Sequence, residues 1–234
     1  MRVRMSVCSS PHATCAATAA ALVGVRPVVE VGRRGRLGSA EGTRQRHRGL
    51  RRRPPRLLRR PADSARAGRE RVAEGWKYLR MSVDDRDGVL EPRTAVRDSI
   101  AHFAAVREAV GPEIEICIDC HTRLDPPDAI HLGRELEQYD PFFIEDPLRC
   151  ENPQSYRHLR NHVSCPLAVG EHYATKWEFR QVIENEWIDF CRLDLCIVGG
   201  ITEALKVAGW CETHYIPIAP HNPLGPVSTA ACLH

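Results

Sequence analysis

The stretch IEICIDCHTRL, residues 114–124, decides how the rest of the chain is interpreted. Its apolar run is typical of a buried β-strand, yet the run ends in Asp119, and His121 follows two residues later. Residues i and i+2 of a strand face the same side, so the two side chains would stand together at the end of the strand. Two interpretations are open at this point: an ordinary strand-to-loop exit, or one half of a metal site.

Strands and helices alternate from about residue 70 onward. Strands are predicted over residues 76–82, 113–119, 141–146, 165–171, 188–194 and 215–221. The end of a helix is predicted just before Gly75, within the stretch that starts at residue 65. Further helices are predicted over residues 91–111, 126–140, 152–163, 176–186 and 199–214, and another begins within 223–234. This repeated alternation predicts an α/β fold with parallel strands joined by helical crossovers.

One polar residue closes each of five successive predicted strands. These residues are Asp119, Glu145, Glu171, Asp194 and His221, at steps of 26, 26, 23 and 27 residues. One βα unit has about this length, so each residue occupies the same place in its unit. In a (β/α)8-type barrel those places form a ring at the carboxyl end, where active sites are built, whereas a doubly wound sheet would spread them along a line. The convergence favours the barrel.

Three of these residues, Asp119, Glu145 and Glu171, are carboxylates that would repel one another without a cation. Carboxylate oxygens are hard ligands, so we predict that the three hold Mg²⁺. A single acidic residue at a strand end is more often a helix cap or a solvated group, and the prediction rests on three in register. Such an ion can stabilise the second negative charge that forms when a carboxylate substrate loses its α-proton.

Removal of a weakly acidic α-proton also requires a positioned base. His221 is the candidate, because an unperturbed imidazole titrates near neutral pH. Asp194, one strand earlier, could fix its tautomer. His121 would stand on the other side of the substrate, where it could protonate a leaving hydroxyl group.

Six strings along residues 70–234 carry a more specific resemblance. They are GWKYLRM, IDCH, FFIEDP, VGE, LDLCIVGGITE and APHNPLGPVSTAACLH. In this order and spacing they resemble the mandelate racemase branch of the enolase superfamily, and within it the acid-sugar dehydratases of the D-galactonate dehydratase type.

The resemblance implies a role for each residue of the ring. Asp119, Glu145 and Glu171 would bind Mg²⁺, and His221, paired with Asp194, would abstract the proton α to the carboxylate. The resemblance also implies that His121 assists departure of the β-hydroxyl group. The substrate would be a sugar acid, and the product a 2-keto-3-deoxy acid.

The second barrel strand departs from part of the superfamily. Racemases and lactonizing enzymes carry K-x-K there, and those positions are Arg80 and Ser82 in this chain. The missing lysine favours the dehydratase over a racemase or epimerase, which stays the alternative. Arg80, His172 and Asn222 are the candidate substrate-binding residues.

The family pattern includes an N-terminal capping domain and an eighth barrel strand that we do not recognise here. The stretch RPVVEVG, residues 26–32, is a poor candidate for the first strand. We therefore expect residues 70–234 to form an incomplete barrel that exposes strand edges and has weak or no activity. A non-catalytic fragment is the alternative. The resemblance also implies that a full-length member of the family forms a homo-oligomer.

Residues 1–69 are a different kind of sequence, rich in Arg, Gly and Pro. The formal net charge of +3 combines +14 over residues 1–71, with 18 Arg and four acidic residues, and −11 over the remainder. This composition predicts disorder. A nucleic-acid-binding arm is disfavoured because Lys and interleaved aromatic residues are absent. A targeting peptide and a non-native start remain open.

The ten Cys residues are scattered along the chain, and only Cys117 and Cys120 form a C-x-x-C pair. A strand would point these two side chains to opposite faces, so we interpret them as packed thiols in a reducing compartment.

No apolar run approaches the ~20 residues that cross a bilayer. We expect a cytoplasmic protein without a membrane partner. A zinc amidohydrolase is disfavoured because the sequence contains no H-x-H.

Overall fold

The computed structural model describes residues 29–30, 60–83 and 90–234. The predictions of a targeting peptide, a nucleic-acid-binding arm or a non-native start concern N-terminal residues that lie outside these ranges. The strands are β1 (Val29–Glu30), β2 (Tyr78–Ser82), β3 (Glu115–Asp119), β4 (Phe143–Glu145), β5 (Leu167–Val169) and β6 (Phe190–Cys191). The α-helices are α1 (Pro61–Ala73), α2 (Pro92–Val110), α3 (Pro126–Leu136), α4 (Ser155–Arg160), α5 (Lys176–Glu184), α6 (Ile201–Thr213) and α7 (Pro226–Leu233). A short 3-10 helix, Glu137–Tyr139, follows α3.

The strands form one sheet in sequence order, β1-β2-β3-β4-β5-β6, and every pairing is parallel. Ser82, Asp119 and Glu145 lie side by side at the carboxyl edge. Beyond β6 the chain continues the parallel pattern through single bridges, one of which joins Asp194 to His221. The predicted parallel α/β architecture is confirmed, and it gathers the strand ends on one edge.

The longest helix, α2, shows how the local sequence sets an element. Pro92 opens it, and the side chain of Glu91 accepts a hydrogen bond from the backbone N–H of Thr94 at 2.7 Å. A proline in the first turn loses no hydrogen bond, and the capping carboxylate satisfies a free N–H group. The apolar stripe buries Phe103 completely, and Gly111 ends the helix.

The two faces of the sheet carry different cores. A large cluster fills the space between sheet and helices, while a small one lies on the inner face and consists of Tyr78, Cys117, Phe143 and Ala168, packed with Phe142 and Phe190. Cys117 belongs to the small cluster and Cys120 to the large one, which confirms that their side chains face opposite ways. By strand alternation the small cluster lies directly below Arg80, Asp119 and Glu145, on their face.

Two expectations for the N-terminal part were wrong. Helix α1 begins at Pro61, so the stretch from 61 to 69 is helical rather than disordered. The helix is stabilised by packing that cannot be inferred from composition. Ala65 and Gly68 are buried, and Gly68 closely approaches the side chain of Val106 in α2. The backbone of Val29–Glu30, within the stretch rejected as a strand, pairs with β2.

Among the described glycines, Gly170, between β5 and Glu171, leaves the least room for a side chain. Its φ is +136°, and an added Cβ would press on the ring of Phe179, 2.9 Å from Cζ. We expect Gly170→Ala to cost about 2–4 kcal/mol of unfolding free energy, because backbone strain and overpacking add. Urea denaturation measures this loss.

The matched control is Gly209→Ala in α6, where an added Cβ would meet nothing within 4 Å. That change should be neutral or stabilising by up to about 1 kcal/mol, since alanine favours a helix over glycine. Equal stability of the two variants would contradict the close approach at Gly170.

Among the described residues, no helix is long and apolar enough to cross a membrane.

Candidate metal centre and active site

The structure brings the predicted ring together at the carboxyl edge of the sheet. Asp119 and Glu145 are the last residues of β3 and β4, and Glu171 follows β5 by two residues. All three are buried, with at most 3% of each residue exposed. Carboxylates avoid such burial unless they are paired or bind a cation, so the partners of each one define the site.

Asp119 and His121 form the first pair of the site. The backbone N–H of His121 donates to Oδ1 of Asp119 at 2.8 Å, and the ring Nδ1 of His121 pairs with Oδ2. The hydrogen bond to Asp119 raises the pKa of His121. Burial opposes ionisation of Asp119, but the hydrogen bond from His121 and the charge of Arg80 outweigh it and lower its pKa. His121 remains 43% exposed and is therefore a proton donor that a ligand could reach.

Two buried arginines hold Glu145. The Nε of Arg80 donates to its Oε2 at 3.1 Å, and a second nitrogen of Arg80 pairs with Oδ2 of Asp119. Arg192 donates to the other oxygen, Oε1, through Nε at 2.9 Å and Nη2 at 2.5 Å. The sequence-based argument that these carboxylates repel one another unless a metal is present is therefore wrong for Asp119 and Glu145, since guanidinium groups already compensate their charge.

Arg192 was missed by reasoning from sequence alone, although a signal existed. It stands two residues before Asp194, so strand alternation places both side chains on the same face. An arginine in an otherwise apolar strand is rarely buried unless it is paired. The stretch FCRLD thus already pointed to an acidic partner inside the fold.

Glu171 is surrounded by imidazoles rather than arginines. Nε2 of His172 lies 3.1 Å from its Oε1, and Nε2 of His121 lies 3.9 Å from the same atom. Oε2 is 3.3 Å from Nε2 of His221, yet within the described part of the chain this buried oxygen has no hydrogen-bond partner. Burial, followed by the charge of Glu145, raises the pKa of Glu171. The carboxylate form of Glu171 is therefore disfavoured unless a positive charge lies close to it.

The acidic residues fit a divalent cation. Asp119, His121 and Glu171 offer ligand atoms within 4.8 Å of one another, and so do Glu145, Asp146 and Glu171. Glu171 is common to both groups, and its Oε2 is the buried oxygen that lacks a hydrogen bond. A set dominated by carboxylate oxygens is suited to a hard ion of the Mg²⁺ type.

His221 and Asp194 form a dyad beside this centre. Nδ1 of His221 lies 2.8 Å from Oδ2 of Asp194. The other carboxylate oxygen accepts the backbone N–H groups of Cys196, at 2.8 Å, and Ile197, at 3.1 Å. Burial opposes ionisation, but the hydrogen bonds from His221 and these N–H groups lower the pKa of Asp194. Asp194 thus remains an acceptor, which leaves Nε2 of His221 directed towards Glu171.

Asp146 is a second residue that the sequence reasoning missed. Its side chain accepts the N–H of Gly170 at 3.1 Å, its carbonyl accepts the N–H of Thr122 at 2.7 Å, and its own N–H donates to Ala168 at 2.9 Å. It therefore joins the carboxyl ends of β3, β4 and β5, where the predicted ligands Asp119, Glu145 and Glu171 lie. Burial, followed by the charge of Glu171, raises the pKa of Asp146 well above its ordinary value. The two consecutive acidic residues in FFIEDP were the available signal.

The three candidate substrate-binding residues lie in different environments. Arg80 is buried beneath the carboxylates that it pairs with, whereas His172 is 44% exposed beside Glu171. Asn222 is buried and donates to Oγ1 of Thr229 at 2.5 Å, so it also organises the turn into α7. A role in substrate binding stays a prediction for all three.

Comparison with known proteins identifies the family. A family model described as enolase C-terminal domain-like matches residues 63–234. The chain belongs to this family. The resemblance drawn from the six sequence strings is thereby confirmed. Solved structures that are similar to this chain have the barrel domain of that superfamily.

The enolase-like chain is similar to several named proteins. It is 38% identical over 175 residues to a D-galactonate dehydratase of Ralstonia nicotianae and 36% identical to one of Ralstonia pickettii. Each match covers 75% of this chain and 46% of the relative, so the chain spans about half the length of the curated relatives it matches. A crystal structure of an enolase from Pantoea ananatis with bound D-gluconate and Mg superposes with a TM-score of 0.68 at 26% identity, covering 74% of this chain and 50% of that one.

Proposed function

We propose that this chain carries the catalytic centre of a Mg²⁺-dependent sugar-acid dehydratase of the D-galactonate type. The observation that carries the proposal is the placement of two imidazoles around Glu171. His221, backed by Asp194, and His121, backed by Asp119, both approach this carboxylate. The names of the Ralstonia relatives support the same reaction class.

Asp119, Glu145 and Glu171 would hold the divalent cation. When bound, the cation supplies positive charge against the second negative charge of a deprotonated carboxylate substrate. The residues around it then need only position the substrate and move two protons.

His221 is placed to take the α-proton. Asp194 would accept the hydrogen bond of the Nδ1–H group of His221. In that tautomer the free electron pair for the incoming proton lies on Nε2. Breaking the C–H bond first leaves its electrons on the substrate, which becomes a doubly charged enolate. In the next step these electrons form the carbon–carbon double bond as the β C–O bond breaks. A proton from His121 converts the departing hydroxide into water. The enol that remains tautomerises to a 2-keto-3-deoxy acid.

The proposal is tested by incubating the metal-loaded chain with a panel of sugar acids and analysing the products by mass spectrometry. A dehydratase product is lighter than its substrate by one water. A product of unchanged mass and inverted configuration would instead establish the racemase or epimerase alternative. If metal binds but no sugar acid is converted, the proposed activity of this chain is refuted.

A further inference from the structure

Arg80 pairs with carboxylate oxygens of two residues that are predicted to bind the metal. Its side chain is buried at 3% exposure and donates to Oε2 of Glu145 and Oδ2 of Asp119. Both acceptors belong to predicted ligands of the cation. The guanidinium group therefore bridges two of the three ligands from inside the fold.

Arg192 is held by the main chain as well as by Glu145. Its Nη1 donates to the backbone carbonyls of Ala219, at 2.8 Å, and Pro220, at 3.2 Å, in addition to the bonds with Glu145. Main-chain bonds on the neighbouring segment fix Arg192 as a support of Glu145. Arg80 pairs with two predicted ligands, Asp119 and Glu145, whereas the carboxylate that Arg192 pairs with is Glu145.

The charges decide what this arrangement does. A buried guanidinium compensates Asp119 and Glu145 when no metal is bound, so the folded chain does not need the ion to relieve their repulsion. A divalent cation at the same carboxylates would be repelled by that guanidinium at short range and low dielectric.

We propose that Arg80 is a built-in counter-cation of the ring, competes with the divalent cation for Asp119 and Glu145, and thereby sets the metal concentration at which the site fills. This inference rests on the metal ring of the proposed function. It assigns Arg80 a function that the candidate substrate-binding role does not include.

The test measures metal binding directly rather than turnover. Arg80→Gln removes the charge but keeps an amide that can donate hydrogen bonds to both carboxylates, whereas Arg80→Lys keeps the charge. Arg107→Gln is the control, because Arg107 is partly buried and donates to the backbone carbonyls of Gly111, Ile114 and Tyr139, away from the ring. Each chain is stripped with EDTA and titrated with Mn²⁺, with free Mn²⁺ followed by electron paramagnetic resonance, and with Mg²⁺ in a calorimeter.

We expect Arg80→Gln to bind Mn²⁺ at least about tenfold more tightly than the unmodified chain, because one nearby positive charge is gone. Arg80→Lys should stay within about threefold, since its charge is kept while its forked geometry is lost. Arg107→Gln should be unchanged. If Arg80→Gln unfolds without metal, Mn²⁺ should restore its far-ultraviolet circular dichroism.

The failures of the two proposals are distinguishable. Binding by the unmodified chain, with no tighter binding by Arg80→Gln, overturns the counter-cation but leaves the metal ring intact. Failure of Mn²⁺ to refold an unfolded Arg80→Gln chain overturns the counter-cation as well. Absence of binding in all four chains overturns the ring and the inference together.

Discussion

Replacing Glu145 by Gln should abolish divalent-cation binding and lower the free energy of unfolding by about 3 kcal/mol or more. Glu145 is fully buried and is the carboxylate that both Arg80 and Arg192 contact. Its neutralisation leaves two buried guanidinium groups with one fewer anion between them. The same change removes a central ligand of the proposed metal ring, so stability and metal affinity fall for one electrostatic reason.

The measurement is urea denaturation of the metal-free chains, together with Mn²⁺ titration. Glu113→Gln is the control, because Glu113 is exposed on the approach to β3 and should change neither quantity. A Glu145→Gln chain as stable as the control would show that the charge of Glu145 contributes nothing measurable to the free energy of unfolding. A chain that still bound Mn²⁺ with unchanged affinity would exclude Glu145 as a ligand.

The positions of the ring were predictable because they depend on chain geometry. Parallel strands joined by helices return to the same edge once per βα unit, so regularly spaced acids at strand ends converge whatever else the sequence contains. Asp119 and Glu145 duly lie in register on β3 and β4. The Asp194–His221 pair follows from the same rule, since a single parallel bridge joins the two residues.

The electrostatics of the ring could not be predicted in the same way. Counting carboxylates suggested that only a metal could neutralise them, because the sequence pattern does not show which cationic side chains point inward. Arg80 was considered for the substrate and Arg192 was not considered, yet both are buried against Glu145. Arg80 lies 65 residues and Arg192 lies 47 residues from Glu145 in the sequence, so these pairs form only once the sheet has folded.

Helix α1 is a case in which composition led to a wrong prediction, since disorder was expected up to residue 69. Arg, Gly and Pro dominate the segment up to residue 69, and such sequences lack the apolar content to fold alone. Pro61 nevertheless starts a helix whose small residues Ala65 and Gly68 allow close packing against α2. Its Arg66 pairs with Glu70 on the exposed side at 3.0 Å. The sequence therefore indicated only the end of this helix, because its first turns depend on packing against a partner that follows it in the chain.

Replacing His221 by Asn should stop both exchange of the substrate α-proton and loss of water, each by about a thousandfold or more, since removal of a general base has effects of this size. The reason is positional, because His221 is the imidazole that Asp194 orients at 2.8 Å, with Nε2 facing Glu171. Proton nuclear magnetic resonance of a sugar acid in D₂O records both events in one experiment, as loss of the α-proton signal and appearance of the 3-deoxy product.

The His121→Asn variant distinguishes abstraction of the α-proton from loss of the β-hydroxyl group. If His121 only protonates the leaving hydroxyl group, its loss should slow the appearance of product while the α-proton still exchanges with solvent deuterium. His158→Asn, on the exposed surface of α4, is the control and should change neither rate. Undiminished exchange in the His221→Asn chain would show that the base lies elsewhere. Loss of exchange in the His121→Asn chain would place both imidazoles in the proton-abstraction step, and the division of labour proposed for the dyad and His121 would be wrong.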